Sequence, residues 1–579
     1  MDLSPLRHSL AHLLAAAVLE LYPDAKRAIG PAIDNGFYYD FEFSSPVADA
    51  DLPKLEKKMR QILQTWKDFS HREVSAHEAE ALFAGNPYKL ELIDEILTRG
   101  EKLTIYTSGS YDDLCRGGHV ESARDIKPDT FKLSRVAGAY WRGDEKNKQL
   151  TRIYGLAFTT GQELEEYLKM IEEAKKRDHK ILGPQLDLFV FSDLVGSGLP
   201  LWTPRGTLVR NLLDDFVWSL RKAHGFVQVD IPHITKKDLY EKSGHWDKFK
   251  DELFKITTRE GHVFAMKPMN CPHHTQIYNR RPHSYRELPQ RYANTTKVYR
   301  DEQSGELAGL ARVRAITQDD AHVFCRASQI KDEVFGIWDI VEEFYGAFGF
   351  SLDIRLSLHD PAHPEKYLGT PETWTIAEDT LRSLVKARGV SAIEALGEAA
   401  LYGPKIDFIG KDALGREHQV ATIQLDMNQP ERFDLACTNE DGKAERIVMI
   451  HCAIMGSIER FLSVIIEHYA GAFPLWLAPV QIAVLPISEK HNAHAAKVAE
   501  QLTEEGFRVE VSSENDTIGK KIRQAENMKV PYSLIIGDKE VEAKKVSVRQ
   551  KGGADLGTMT LKTLLVKLKK EVAEKKTSA

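Results

Sequence analysis

Several features are scarce or missing in this chain. Only 5 of its 579 residues are cysteine, which excludes a disulfide framework and points to a reducing compartment. No apolar run approaches the roughly 18 residues of a membrane-spanning helix. The nearest, Leu10 to Leu21, is too short, and His8 and His12 interrupt its N-terminal end. Its flanks are not those of a signal peptide, so a cytoplasmic protein with no membrane partner is expected. Positive charge is not in excess: 78 Lys and Arg against 85 Asp and Glu leave −7. That excludes a basic glove over the whole surface but allows a local basic groove. The chain shows no strong internal repeat, low-complexity tract, Walker loop or dinucleotide fingerprint.

What is present is ordinary in bulk, with 42% apolar and 28% charged residues, as in soluble globular proteins. At about 150 residues per domain, the length suggests three or four domains. The first runs to about residue 160, opening with a helical pattern and continuing through strands such as Leu103–Thr107 and Gln149–Tyr154. A charged helix, Gly161 to His179, follows; it ends in the basic cluster Lys175-Lys176-Arg177, and Gly183-Pro184 is expected to break it. A long segment, 185–477, mixes short β-rich runs with helices. From 478, strands and helices alternate: Gln481–Ile487, His491–Glu505, Arg508–Ser512, Thr517–Met528, Tyr532–Ile536, Lys545–Arg549 and Leu561–Val572. That spacing implies an α/β layer fold.

Chemistry-bearing residues cluster in two places. In the first domain, His8 and His12 are four apart in a helical context, so their imidazoles share a face. Asp113, Cys115 and His119 form a second compact group. Together they suit hydrolysis, metal binding or a structural role. In the long segment, Arg300 and Glu302 precede Gly305, and alternation is expected to put Arg312 and Arg314 on one strand face. Such arginines can clamp phosphates bidentately or serve structural salt bridges. The tract Gln318-Asp319-Asp320-Ala321-His322 is costly to bury without a purpose. Cys325, Cys437 and Cys452 read as small core residues. Gly456-Ser457-Ile458-Glu459-Arg460 heads an apolar helix, where an arginine can meet a phosphate.

Read together, these residues resemble the class II aminoacyl-tRNA synthetases, and among them the threonyl-tRNA synthetase family, over nearly the whole chain. Thr203–Pro232 resembles motif 1, the dimer-interface element; Tyr299-Arg300-Asp301-Glu302 with Ser304-Gly305 resembles motif 2; Gly456–Phe461 resembles motif 3. The specific part is the combination of Met269-Asn270-Cys271-Pro272, Thr317–His322 and His451. The resemblance implies a multidomain α+β and α/β protein: an editing domain (1–160), a linker helix (161–184), an antiparallel-sheet class II catalytic domain (185–477) and an α/β anticodon-binding domain (478–579). It implies a threonine–tRNA ligase acting on ATP, L-threonine and tRNA(Thr), working as a homodimer, with one catalytic Zn2+ per chain and Mg2+ accompanying ATP.

The site residues follow from the same matching. Cys271, His322 and His451 would hold zinc. Arg300 and Arg460 would hold ATP phosphates, with Glu302 and Arg312 nearby; Lys405 would face the reacting carboxylate, and His245 would assist transfer to tRNA. Asp320 would receive the threonine hydroxyl, while Gln318, Gln419, Thr422, Gln424 and Met269 would line the substrate pocket. His8, His12, Cys115 and His119, with Lys89 and Asp113, match the family's editing motif, which would remove serine. Asn515, Glu540 and Arg549 are candidate anticodon contacts. On charge alone, Lys175, Lys176 and Arg177 with the basic C-terminal helix are candidate tRNA phosphate contacts, the plainer reading of the Lys175–Arg177 cluster being a solvated helix face. The family's bacterial members usually carry a ubiquitin-like domain ahead of the editing domain, and that domain is expected to be absent here. Tyr299 and Asp301 replace the usual His and Asn of motif 2, Ala308 a loop histidine, His273 a glycine and Gly118 a proline. The alternative is a catalytically silent paralogue acting as an RNA-binding module; a second alternative for the four editing residues is a structural zinc site.

Overall fold

A computed structural model describes residues 2–575. Contacts divide the chain into two compact units, Met1–Glu173 and Ala174–Ala579. The first is built round the helix Ser4–Leu21, which is buried from Ser9 through Val18. Small apolar residues on every side of Leu10–Val18 make it a central helix rather than a surface one. An antiparallel sheet packs on it, in the order Lys26–Arg27, Gly36–Glu42, Gln149–Ala157, Phe131–Tyr140, with Ala32–Ile33 also paired to Gly36–Glu42. A three-stranded sheet, Ser70–Val74, Leu103–Ser108 and Tyr111–Leu114, completes the α+β unit. Its last two strands turn at Gly109-Ser110, where Gly109 takes the positive φ of 60° that a two-residue hairpin favours.

The second unit is dominated by an eight-stranded sheet. Its strands in chain order are β1 (Val227–Gln228), β2 (Gln290–Tyr299), β3 (Ala315–Cys325), β4 (Ser351–Leu358), β5 (Ala392–Leu396), β6 (Lys405–Lys411), β7 (Glu417–Asp426) and β8 (Val448–Ser457). Their spatial order is β1-β2-β3-β8-β7-β6-β4-β5. Pairing is antiparallel except at the two edges, β1–β2 and β4–β5. An antiparallel sheet can carry an apolar face and a polar one, and this one does, the polar face being largely covered as well. Ala321, Val323 and Cys325 of β3, Ile450 and Cys452 of β8, Ile423 and Leu425 of β7 and Ile406 and Phe408 of β6 enter one core with Trp338 and Phe344. The period of two then sends Gln318, Asp320, His322, His451, Thr422, Gln424 and Lys405 to the other face.

Beyond Ala478, a separate core surrounds a five-stranded sheet ordered Val509–Val511, Ile482–Pro486, Tyr532–Ile536, Val546–Gln550, Ala554–Met559. Its first three strands are parallel and the last two antiparallel. The expected alternation therefore omitted two elements, the helix Asp538–Ala543 and the edge strand Ala554–Met559. That strand is polar and contains Gly557, so it lacks the apolar alternation that marks a strand in sequence.

Two further expectations need correcting. The linker breaks at Asp178, not at Gly183-Pro184: the Asp178 side chain caps a second helix, His179–Gln185, that contains Pro184. The proline lies in its last turn, so it ends the helix rather than preventing it. Arg312 and Arg314 do not share a strand face, because β3 begins at Ala315. The backbone N–H of Arg314 donates to Gly198 at 2.8 Å, and Ala308 donates to the Arg312 carbonyl at 3.2 Å, which folds this stretch as a loop.

Candidate functional site

The β3–β8 register sets His322 directly opposite His451, with Nε2 of the first 3.1 Å from Nδ1 of the second. Cys271 opens the helix Cys271–Tyr278. Its thiol completes a buried set whose ligand atoms all lie within 4.8 Å of one another. Both imidazoles are oriented from behind. His451 Nε2 lies 2.8 Å from the Asp426 carboxylate, so Nε2 carries the proton and Nδ1 offers its lone pair. His322 Nδ1 lies 2.8 Å from His274 Nδ1, leaving Nε2 to face the centre. A tetrahedral zinc with nitrogens at its usual distance would hold them about 3.3 Å apart. Burial pushes the Cys271 thiol well up and the His322 imidazole well down, and a cation between them would reverse the penalty on the thiolate. The donor set, its spacing and the carboxylate behind His451 all fit zinc.

Asp320, pushed up to about 6 by burial, accepts a 3.0 Å hydrogen bond from Asn270 Nδ2 beside this set. Met269 packs on the cluster that contains Cys271. His245 is fully buried, 3.9 Å from the Cys271 sulfur and 2.8 Å from Ser243 Oγ; burial lowers it to about 3. Sequence reasoning missed the support beneath the site, a buried ion pair of 2.5 Å between Arg221 and Asp319. Asp319 also accepts from the backbone N–H groups of Ile454 and Met455, each at 2.9 Å. The dense polar tract around it was the only signal.

Arg300 follows β2 directly, and Arg460 lies in the first turn of the helix Ile458–His468, capped by Ser457. With Glu302, Arg312 and Gln318 they line one cavity of about 690 Å³. Glu302 and Glu306 hold Arg312 at 2.7 and 2.9 Å. The Nε of Arg300 is buried with no hydrogen-bond partner among the described residues. Arg314 stays outside the cavity, bonded to Ser197. The cavity wall also carries His179, His418 and Glu467, which the sequence did not single out.

Lys405 pairs with Gln424 across β6 and β7, and Asp407 with Thr422. Val420 has no partner in that register, and the bulge returns Gln419 to the face of Thr422 and Gln424. Gln419 donates to the fully buried Asp407 at 2.9 Å, and Lys405 lies 3.2 Å from the same carboxylate. Tyr402 donates to Gln424 at 2.6 Å and stacks on His451.

In the first unit, the central helix presents His8 and His12 while the hairpin strand Tyr111–Leu114 presents Asp113. Gly117 and Gly118, at φ of 102° and 82°, turn the chain back so that His119 Nε2 lies 3.3 Å from Cys115 Sγ, with His8 Nε2 3.6 Å from the same sulfur. A proline, with φ fixed near −65°, does not adopt the Gly118 conformation, so the loop here takes a turn that the residue usual at that position would not allow. The four residues have ligand atoms within 4.8 Å of one another, and all but His119 border a cavity of about 670 Å³. Asp113 and Lys89 form a buried ion pair of 2.6 Å. Tyr39, Tyr111 and Arg27, unforeseen from the sequence, surround the same carboxylate at 2.5, 2.8 and 3.4 Å. Burial works to raise Asp113, yet the Lys89 and Arg27 cations hold it below the usual carboxylate range. Burial lowers His8 and His12, and His119 to about 3. It raises the Cys115 thiol to about 11. The set is thus neutral at pH 7, suited to polarising water rather than to thiolate attack.

Of the anticodon candidates, Asn515 is exposed and Arg549 lies half-buried on the strand Val546–Gln550. Glu540 is occupied locally: its carboxylate accepts from Gly537 N at 2.9 Å and caps its own helix.

Residues 254–469 match the class II core domain of tRNA synthetases (G, H, P, S and T). Residues 481–571 match an anticodon binding domain, and 103–154 the threonyl and alanyl tRNA synthetase second additional domain. The chain is 49% identical to a threonine–tRNA ligase of Porphyromonas gingivalis over 572 residues, 98% of this chain and 87% of that one. It is 48% identical to that of Deinococcus radiodurans over 561 residues, 95% and 86%. It also resembles a solved structure, the RNA binding domain of threonyl-tRNA synthetase from Cryptosporidium parvum. The TM-score is 0.65 and the identity 40%, covering 68% of this chain and 98% of the other.

Proposed function

The chain belongs to the threonine–tRNA ligase family of class II aminoacyl-tRNA synthetases, and on that premise we propose how its residues divide the work. The large sheet activates threonine with ATP and charges tRNA(Thr); the N-terminal unit hydrolyses seryl-tRNA. The observation that carries this reading is the convergence of Cys271, His322 and His451 beside Asp320.

Cys271, His322 and His451 would hold a zinc ion, which would supply Lewis-acid binding for the amino and hydroxyl groups of the amino acid. Asp320 accepts the substrate hydroxyl, held in place by Asn270. Valine lacks that hydroxyl and leaves Asp320 unsatisfied, so it is rejected strongly; serine lacks only a methyl, worth about 1–3 kcal/mol. Lys405 steadies the carboxylate whose oxygen attacks the α-phosphorus of ATP, and the bond to pyrophosphate breaks. Arg300 and Arg460 neutralise the phosphates, which arrive with Mg2+. A tRNA 3′-end hydroxyl then attacks the adenylate carbonyl and AMP leaves, with His245 placed beside the site. Because serine passes the first test, His8, His12, Cys115 and His119 supply a second: water, polarised by neutral imidazoles, cleaves the seryl ester. A silent paralogue would have no need of a complete set of arginines and ligands.

A homodimer is inferred through the motif 1 elements, helix Pro204–Ala223 and β1. Val227, 53% exposed, offers apolar surface there. A cytoplasmic setting fits the tRNA substrate; among the described residues no helix is long and apolar enough to cross a membrane. The deciding experiment is pyrophosphate exchange with threonine, serine and valine, together with zinc content. Cys271→Ser should lower zinc and threonine-dependent exchange together; both remaining intact would sink the ligand assignment.

A further inference from the structure

His179 lies where the linker enters the second unit, in a short helix outside the motif 1–3 elements. Its ring nevertheless lines the cavity that holds Arg300, Arg312 and Arg460. Nδ1 lies 2.6 Å from Glu467 Oε1, and Nε2 accepts the backbone N–H of Leu310 at 3.1 Å. A backbone N–H is an obligate donor, so the proton sits on Nδ1 and the imidazole is held in one tautomer. Glu467 is on the helix that carries Arg460, and Leu310 is in the loop that carries Arg312. Gly309 allows the approach: at φ +55°, a Cβ there would lie 2.5 Å from His179 Nε2.

The other contacts make this joint rigid. The His179 N–H donates to Glu467 Oε1 at 3.2 Å, and Arg177 donates to the His468 carbonyl at 3.2 Å. Arg416 pairs with Glu467 Oε2 at 2.7 Å and with Asp412. Asp178, His179 and Glu467 are close enough to hold a metal. Their atoms are already used, however, since Asp178 Oδ1 caps Lys180 N at 2.8 Å and both His179 ring nitrogens are bonded.

We propose that His179 is a positioning residue that clamps the loop bearing Arg312 to the helix bearing Arg460, and so sets the geometry with which the enzyme receives ATP. This rests on the reading of the cavity as the ATP site.

The test is pyrophosphate exchange by the full chain, with ATP and threonine varied separately, and amide hydrogen exchange over residues 303–313. His179→Asn keeps a donor for Glu467 but has nothing to reach Leu310; His179→Gln reaches Leu310 with its amide oxygen. His179→Asn should raise the ATP KM about tenfold, as expected when a buried N–H loses its acceptor. The threonine KM should stay within about twofold, and Leu310 should exchange faster. His179→Gln should restore much of the ATP KM. An unchanged ATP KM in His179→Asn, or a Gln variant no better than Asn, overturns the clamp. If His179→Asn does not fold, Gly309→Ala attacks the same contact from the loop side, and an unchanged ATP KM there overturns it. Arg460→Ala is the control: no effect on ATP sinks the ATP-site reading, whereas a large effect beside silent His179 and Gly309 variants sinks only the clamp.

Discussion

Arg221 and Asp319 are 2% and 0% exposed, and neither lines the cavity of Arg300 and Arg460. Removing one partner of such a pair strands the other as a buried charge, which costs about 3–5 kcal/mol. Arg221→Ala should therefore destabilise the catalytic unit by about that amount in chemical denaturation, while the N-terminal unit retains seryl-tRNA hydrolysis. The buried histidines of the N-terminal unit give a pH signature. His8, His12 and His119 have lowered values in the fold, His119 to about 3, whereas the unfolded chain takes up protons near 6.5. The unfolded state binds more protons between those limits, so stability is full above about pH 6.5 and declines as pH falls toward about 3. The melting temperature of the first unit should drop steadily from pH 7 to pH 4, and His119→Asn should shallow that slope. A midpoint that does not move over this range contradicts the buried, neutral assignment.

At the scale of elements, the cluster of His8, His12, Cys115 and His119 depends on a short return loop. Gly117 and Gly118 hold positive φ in succession, and His119 reaches Cys115 only because they do. Gly117→Val would set a Cβ 2.5 Å from the Tyr106 hydroxyl at a φ of 102°, a conformation that a β-branched residue does not adopt, and should swing His119 away. The expected outcome is accumulation of seryl-tRNA with threonine-dependent exchange unchanged, measured on the same preparation. Hydrolysis at the parent rate would mean that His119 is dispensable or that the loop adapts. The bulge at Val420 is a second device of this kind: without it, alternation along β7 would turn Gln419 into the core.

For the whole molecule, a net charge of −7 must coexist with binding a polyanion. The resolution is local field: phosphate contacts release counterions whatever the total charge. Affinity for tRNA should fall as salt rises, with a linear dependence of log K on log salt, and charge-neutralising Lys569 and Lys570 on the C-terminal helix together should reduce the slope. Filter binding or fluorescence titration across a salt series checks this; a flat line contradicts it.

Composition and periodicity were enough for the α+β opening, the helical linker, most strands and helices after residue 478, and the buried role of Cys325, Cys437 and Cys452. These depend on local pattern, which one stretch of chain contains in full. The His8/His12 pair and the Asp113/Cys115/His119 group were visible for the same reason, each lying within one turn or one loop. The set of Cys271, His322 and His451 was not visible in spacing: the β3–β8 register and a helix start bring the three together, and only resemblance grouped them beforehand. Arg312 and Arg314 looked like strand neighbours until Gly198 claimed the Arg314 amide. Asp178 ended the linker helix because its side chain could cap the next one. His179, His274, Arg221, Arg27 and Tyr39 carried no local signal at all. Their roles come from partners tens to hundreds of residues away, and a buried polar group is assigned only when the fold decides which donor or acceptor it meets.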